Sequence, residues 1–285
     1  MIRILLLTLA IMLGVLNPAV AGTFIASWNV EHLGWGHDKN YSELAQVAKN
    51  FDLIGLEEVM NTKGVDQVVA ALDAQTGVKW KSLVSDVQGR TRYKEAYAFV
   101  YRPDRVEWVG GAANYIDDKD QFQRPPFSAQ FKTAGGFDFV FAIIHQTYGK
   151  KPADRQVEAR ALPRYRQWLD DQFKVPVFIA GDFNLPPTDP SFAGLKQVAQ
   201  PLILKGNTTI STINGRFANL YDNIWAPRDT PLPIDAVGRV EYPHKILGIT
   251  HKVARKTVSD HIPVWMHIDM TGPRAVYRGS SSTGM

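Results

Sequence analysis

Val177-Phe-Ile-Ala-Gly-Asp-Phe-Asn184 is an apolar run that ends on an acid and an amide, and four other stretches stop in a similar way. Thr23-Phe-Ile-Ala-Ser-Trp28 ends at Asn29, and Phe51-Asp-Leu-Ile-Gly-Leu-Glu57 ends at Glu58. Phe137-Asp-Phe-Val-Phe-Ala-Ile-Ile144 ends at His145, and Asp260-His261 stand beside Ile262-Pro-Val-Trp-Met. Apolar runs of this length read as buried strands. Carboxylates, amides and imidazoles at strand ends escape the cost of burial when they share a partner, and one metal ion can serve several of them. Five such endings point to a single site at one edge of a sheet.

The chain has 285 residues, 45% hydrophobic and 21% charged, ordinary values for a globular protein and enough for one large α/β domain. No internal repeat is present, and the low-complexity stretch is Gly279-Ser-Ser-Ser-Thr-Gly284. Residues 1–21 read as a secretory signal peptide: Arg3 supplies the positive start, Ile4 to Leu16 the apolar stretch, and Ala19-Val-Ala21 a small-residue cleavage pattern, with cleavage after Ala21. That stretch falls short of the roughly 20 residues that span a bilayer. The chain lacks cysteine, so it forms no disulfide and carries no cysteine-linked lipid, which fits a bacterial periplasm or medium. Removing Arg3 with the leader takes the formal charge from +4 to +3, a weak pointer to a phosphate-rich partner. The expected organisation is a leader over 1–21, one catalytic domain over 22–270 and a flexible tail over 271–285, secreted or periplasmic and monomeric, without stable membrane association.

Strand-like and helix-like segments alternate. Ser42 can cap a helix running to about Lys49, and Gly64 to Gly77 places Val65, Val68, Val69 and Leu72 at helical spacing before a terminating glycine. Glu95 to Tyr101 and Arg105 to Val109 read as strands around Arg102-Pro-Asp104, and Phe127 to Phe131 with Phe137 to Ile144 as a hairpin across Ala134-Gly-Gly136. Asp154 to Phe173 carries Val157, Ala161, Tyr165, Trp168 and Leu169 on one helical face, with Pro163 expected to bend or break it. Further strands are expected near Val175, over Asn219 to Trp225 and over Val258 to Ile268. Helices mixed with hairpin strands predict sheets packed face to face with helices outside.

Glu58 is the strongest metal-ligand candidate, because an ionised carboxylate at a strand end suits a hard cation. Its neighbour Glu57 competes, and alternation along a strand lets only one of the two enter the site. Asp182 and Asn184, two apart, share one side of extended backbone, although an Asx turn explains the pair equally well. His145 and His261 are acid–base candidates, since imidazole titrates near neutrality; each would need an orienting carboxylate. His32, His37, His244, His251 and His267 match no motif and read as structural. The seven tryptophans are dispersed and read as core.

Ser27-Trp-Asn-Val30, Ile54-Gly-Leu-Glu-Glu-Val59, Tyr93-Lys-Glu95, the strand ending in His145, Gly181-Asp-Phe-Asn184, Tyr221-Asp-Asn-Ile224 and Ser259-Asp-His261 follow one another in an order that resembles the endonuclease/exonuclease/phosphatase superfamily. Within it the chain is similar to the deoxyribonuclease I branch, through Tyr-Lys-Glu and Gln121-Phe-Gln-Arg-Pro125. The resemblance covers residues 23 to 268. It implies an α/β (α+β) four-layer sandwich of two mixed sheets flanked by helices, and a Mg²⁺-dependent phosphodiesterase cutting DNA. Mn²⁺ would be a substitute, and a structural Ca²⁺ site is a further expectation. By the family pattern the acid before valine is the ligand, which selects Glu58, joined by Asp260, Asp182 and Asn29. The pattern pairs His261 with Asp222 and His145 with Glu95 as the catalytic groups, and gives Asn184, Arg124 and Tyr93 to the substrate.

Vertebrate members of the branch carry minor-groove arginines two residues after the first asparagine and two after the metal glutamate. This chain has Glu31 and Met60 there, and an acid facing phosphates is unfavourable. Basic residues gather at Arg90 to Lys94, at Lys150-Lys151, at Arg160, Arg164 and Arg166, and at Lys252 to Lys256. The same superfamily chemistry acting on a phospholipid, sphingomyelin or phosphoinositide is the competing enzyme reading, and a non-catalytic binding protein on this scaffold the competing class.

Overall fold

The computed structural model describes residues 22–36, 38–228, 230–272 and 274–276. The expected leader with its cleavage point at Ala21, His37, and the Gly279–Gly284 stretch lie outside the described residues. In chain order the regular elements are β1 (Thr23–Leu33), α1 (Tyr41–Ala48), β2 (Leu53–Val59), α2 (Thr62–Thr76), β3 (Lys81–Val84), β4 (Ala96–Tyr101) and β5 (Val106–Asn114). They continue with β6 (Phe127–Thr133), β7 (Asp138–His145), α3 (Pro152–Gln172), β8 (Val177–Asp182), β9 (Ala199–Pro201), β10 (Asp222–Pro227) and β11 (Pro231–Leu232). The last are β12 (Ile234–Arg239), α4 (Tyr242–Lys245), α5 (His251–Thr257), β13 (Val264–Ile268) and β14 (Ala275–Val276).

Two six-stranded mixed sheets result, in the orders β12-β13-β1-β2-β4-β3 and β5-β6-β7-β8-β10-β9. Each has one parallel pair near its middle, β1 with β2 and β7 with β8, and the neighbouring pairs run antiparallel. Parallel neighbours need a crossover, supplied by α1 in the first sheet and α3 in the second. The carboxyl ends of two parallel pairs are therefore brought to one rim, the position where open α/β sheets bind ligands.

Three buried clusters separate the layers. Phe99, Phe131, Phe139, Phe141, Phe178 and Met266 fill the space between the sheets. The first sheet buries Trp28, Ile54 and Val100 against α1 and α2 through Leu44, Val47, Val65 and Leu72. The second buries Val140, Ile144 and Ile179 against Leu162, Tyr165 and Leu169 of α3. This is the expected four-layer α/β sandwich.

Local chemistry moved several boundaries. Asn40, not Ser42, caps α1, its side chain accepting from the Glu43 N–H. Gly77 ends α2 at φ 70°, as its position after the periodic run requires. Helix α3 runs through Pro163; the ring lies against Gly194, where a Cβ would come within 2.9 Å of its Cγ. Val157, expected on the buried face of that helix, is 51% exposed. Residues 251–257 form α5, capped by Thr250 accepting from the Val253 N–H, and the strand expected over Val258 to Ile268 begins at Val264. The 271–285 segment was expected to be a loose tail, yet Ala275–Val276 pairs antiparallel with Pro231–Leu232.

Candidate active site

A cleft of about 680 Å³ opens at the shared rim, and Glu58, Tyr93, Arg124, His145, Asp182, Asn184, Asp260 and His261 all line it. The backbone bends sharply to make it. Among the described residues, five non-glycine positions have positive φ, and four of them, Glu31, His32, Glu58 and Asn184, line this cleft. Such conformations cost on the order of 1–3 kcal/mol each and persist where the surroundings enforce them. The pairing of β2 with β4 slips between Leu56 and Val59, and that of β1 with β2 slips between Asn29 and Leu33. The slip turns Glu58 out into the cleft while Glu57 stays fully buried, its Oε1 accepting from Ser27 Oγ at 2.7 Å. Gly181 lies at φ 140°, and a Cβ there would sit 1.8 Å from the Ile144 carbonyl oxygen. Only glycine therefore lets β8 pass β7 closely enough to bring Asp182 beside His145.

Two imidazoles face each other across the cleft. His145 Nδ1 lies 2.7 Å from Glu95 Oε1, and His261 Nδ1 lies 2.9 Å from Asp222 Oδ2. Each histidine's Nε2 is 3.7 Å from the same atom, Asp182 Oδ2. Both pairs join the two sheets: His145 ends β7 and Glu95 precedes β4, while His261 precedes β13 and Asp222 begins β10. Burial works against charge on both rings. Glu95 overcomes it at His145 and raises that pKa, with Arg124 opposing. Asp222 and Asp182 overcome it at His261 and hold that ring well above the ordinary histidine value.

Glu58 is gripped by donors. Asn29 Nδ2 donates to its Oε1 at 3.0 Å, and the His32 N–H (3.1 Å) and Tyr93 hydroxyl (3.3 Å) donate to Oε2. Burial opposes its ionisation, but the charge of His145, the Asn29 amide and the charges of His32 and His261 prevail and lower its pKa to about 2. The same Asn29 amide reaches Asp182 Oδ2 at 3.4 Å, while Asn29 Oδ1 accepts from the Glu31 N–H. Asn29 was expected among the metal ligands. In this arrangement its oxygen accepts one N–H bond, leaving one lone pair, and its N–H groups orient two carboxylates.

Glu58, Asp182 and Asp260 remain as oxygen donors on one cleft, a hard-donor set that suits a divalent cation such as Mg²⁺. Among the described residues, Asp182, Asp222 and His261 also offer ligand atoms within 4.8 Å of one another. Asp222, however, is committed to the His261 Nδ1, so its charge serves the imidazole first.

Arg124, expected on a phosphate, is largely buried. Its Nε lies 2.8 Å from Glu95 Oε1 and its Nη2 donates to the His145 carbonyl at 3.0 Å. Asn184 is fixed by its N–H to Asp182 Oδ1 and by Nδ2 to the Gln146 carbonyl.

The chain belongs to the endonuclease/exonuclease/phosphatase family. The model of that family matches residues 26–261, which contain both histidine–carboxylate pairs. A protein named deoxyribonuclease from Thioalkalivibrio sp. (strain K90mix) is 44% identical over 90% of this chain and 74% of its own length. The rabbit (Oryctolagus cuniculus) deoxyribonuclease-1 is 31% identical over 63% of this chain and 65% of its own. A solved endonuclease/exonuclease/phosphatase family protein from Bacteroides thetaiotaomicron superposes with a TM-score of 0.60 at 17% identity, covering 87% of this chain and 97% of that one, which confirms the fold.

Some residues that build the site receive no role from the sequence alone, Ser259 of the Ser259-Asp-His261 stretch among them. Ser259 Oγ donates to the Asn29 carbonyl and accepts from the His261 N–H, tying the two ends of the cleft together. Its place two residues before the histidine was the available signal. His32, read as structural, has its Nε2 3.5 Å from Glu58 Oε2. Trp35, read as core, is 50% exposed and stacks on His32. No motif marks either: His32 lies at the irregular end of β1, at φ 54°, and Trp35 in the turn that follows.

Proposed function

We propose that the chain is a secreted, Mg²⁺-dependent endonuclease that hydrolyses phosphodiester bonds within DNA. The observation that carries the reading is the pair of imidazoles, each with Nδ1 on a buried carboxylate and Nε2 turned toward one gap. In-line hydrolysis needs a base on one side of phosphorus and an acid on the other. His261 Nε2 takes the proton of the attacking water as its oxygen bonds to phosphorus, and Asp222 stabilises the imidazolium that results. His145 Nε2 gives its proton to the departing ester oxygen as the phosphorus–oxygen bond breaks, with Glu95 holding the ring. A cation held by Glu58, Asp182 and Asp260 would neutralise charge developing on the phosphoryl oxygens. Asn184, and Tyr93 beside Glu58, are placed to orient the phosphate. The deoxyribonuclease names of the relatives support DNA as the substrate.

Supercoiled plasmid incubated with Mg²⁺ should pass through a nicked-circle stage, and a chelator should stop it. Sphingomyelin vesicles should release no phosphocholine under the same conditions. Vesicle hydrolysis with intact plasmid would transfer the chemistry to a lipid ester.

A further inference from the structure

Beside the catalytic cleft, the turn between β1 and α1 builds a second recess of about 160 Å³, walled by His32, Trp35 and Gly36 on one side and by Arg255 and Lys256 of α5 on the other. Three rings meet at its mouth. His32 stacks on Trp35 with centroids 5.4 Å apart and planes 18° from parallel. Trp35 also meets Tyr93 edge-on at 5.8 Å. The inner end of this shelf is at the reaction centre, since both His32 and Tyr93 contact Glu58. The outer end is the half-exposed indole.

The shelf is held rigid from below. Asn61 caps α2 by accepting from the Gly64 N–H and, through Nδ2, donates to the Gly34 carbonyl at 2.8 Å. Gly34 lies at φ 94°, and a Cβ there would fall within 2.6 Å of that Asn61 side chain, so glycine is required for the turn to close. The Trp35 N–H bonds the His32 carbonyl at 3.0 Å. An exposed indole on a locked turn has paid its ordering entropy before any ligand arrives.

The charges around the recess decide which part of a nucleic acid enters. Glu31, Asp38 and Lys39 also line it; Lys39 is committed to the carbonyls of Val30, Glu31 and Val258, so a phosphate inside would be repelled by two carboxylates, whereas a neutral base carries no charge for them to repel. Lys256 is 67% exposed at the rim and 3.8 Å from the equally exposed Asp38, a loose surface pair that a backbone phosphate flanking that base would displace. We propose that the His32–Trp35 shelf receives a nucleobase unstacked from the strand next to the scissile phosphate, making single-stranded, frayed or mismatched DNA the favoured substrate. This rests on the nucleic-acid reading of the cleft.

Binding and turnover separate the two ideas. A labelled single-stranded oligonucleotide, measured in the His261→Ala background so that nothing is cut, should lose about tenfold in affinity on Trp35→Ala, and Trp35→Phe should recover most of it. With His261 intact, Trp35→Ala should raise KM for the single strand by about tenfold while kcat changes less than about twofold. KM for a fully paired hairpin should move much less. Equal affinity in the Trp35→Ala and parent proteins, or the same loss on hairpin and single strand, would overturn the shelf. Tight Trp35-dependent binding by a wild-type protein that cuts no DNA would instead overturn the nuclease reading and leave the shelf standing.

Discussion

The two histidine–carboxylate pairs look alike in the chain and differ in their surroundings. At His145 the carboxylate is shared: Glu95 faces the imidazole at 2.7 Å and the Arg124 guanidinium at 2.8 Å. At His261 no cation among the described residues pairs with the carboxylate; Asp222 faces the ring, and Asp182 and Asp260 add negative charge, that of Asp260 partly offset by Arg255 at 3.5 Å. Both pKa values rise, but only that of His261 is carried well above the ordinary value. A positive charge beside the His145 pair makes its proton easier to give. Surplus negative charge around His261 holds a proton on that ring more firmly. The assignment of acid work to His145 and base work to His261 therefore rests on family likeness, and a cation on Asp182 and Asp260 would offset the negative charge that raises the His261 pKa.

The largest effect should come from the imidazoles. His261→Ala and His145→Ala should each lower kcat by about 10²- to 10⁴-fold, with unfolding midpoints close to the parent's. A sharper test gives each variant a substrate whose leaving group needs no proton, such as a nitrophenyl phosphodiester. His145→Ala should recover activity there, because an acid is no longer needed, and His261→Ala should not. Recovery by His261→Ala instead would reverse the assignment.

Arg124→Gln should act more modestly and on one limb of the pH profile. Arg124 opposes the rise in the His145 pKa, so removing it lifts that pKa further. An acid must be protonated to act, so the alkaline limb of kcat should move to higher pH. Losing the cation buried beside Glu95 should also cost about 3–5 kcal/mol in stability. An alkaline limb that stays in place would separate Arg124 from the acid.

The smallest effect concerns the buried acid on the His261 side. Burial, with Asp222 and Asp182 adding, pushes the Glu57 carboxyl well above 4.5, against the Ser27 hydrogen bond and His261. Its folded-state pKa exceeds its unfolded one. The associated stability is therefore complete below about pH 4.5 and fades as pH climbs toward the raised value. Glu57→Gln keeps the neutral form at every pH. Urea unfolding should show the variant and parent diverging above that pH, the variant more stable by about 1 kcal/mol or more at neutrality. Parallel pH–stability curves would mean that Glu57 is not strained by its acidic neighbours.

Much of the scaffold is written locally. The alternation of apolar runs and helical periodicity, the glycine after Thr76 and the hairpin across residues 134–136 follow from backbone preferences and burial, which depend on near neighbours. Pro163 misled because a proline's disruption depends on what accommodates its ring, here Gly194. Trp35 misled because composition marks an indole as buried, whereas a turn closed by Asn61 holds it in the open.

By itself, the sequence determined that acids, amides and imidazoles end several strands, and which residue types would have to cooperate. Only the tertiary structure decided that they do. His145 with Glu95, His261 with Asp222, and Asn29 with Asp182 each take one member from either sheet, separated by 50, 39 and 153 residues. Their meeting depends on how the Phe99–Phe141–Phe178 layer sets one sheet on the other. So do the slip that turns Glu58 outward and the placing of Arg124 on Glu95. Charge interactions vary steeply with distance in a buried cleft, so which charges each ring feels is fixed by sheet packing, which no local stretch of sequence encodes.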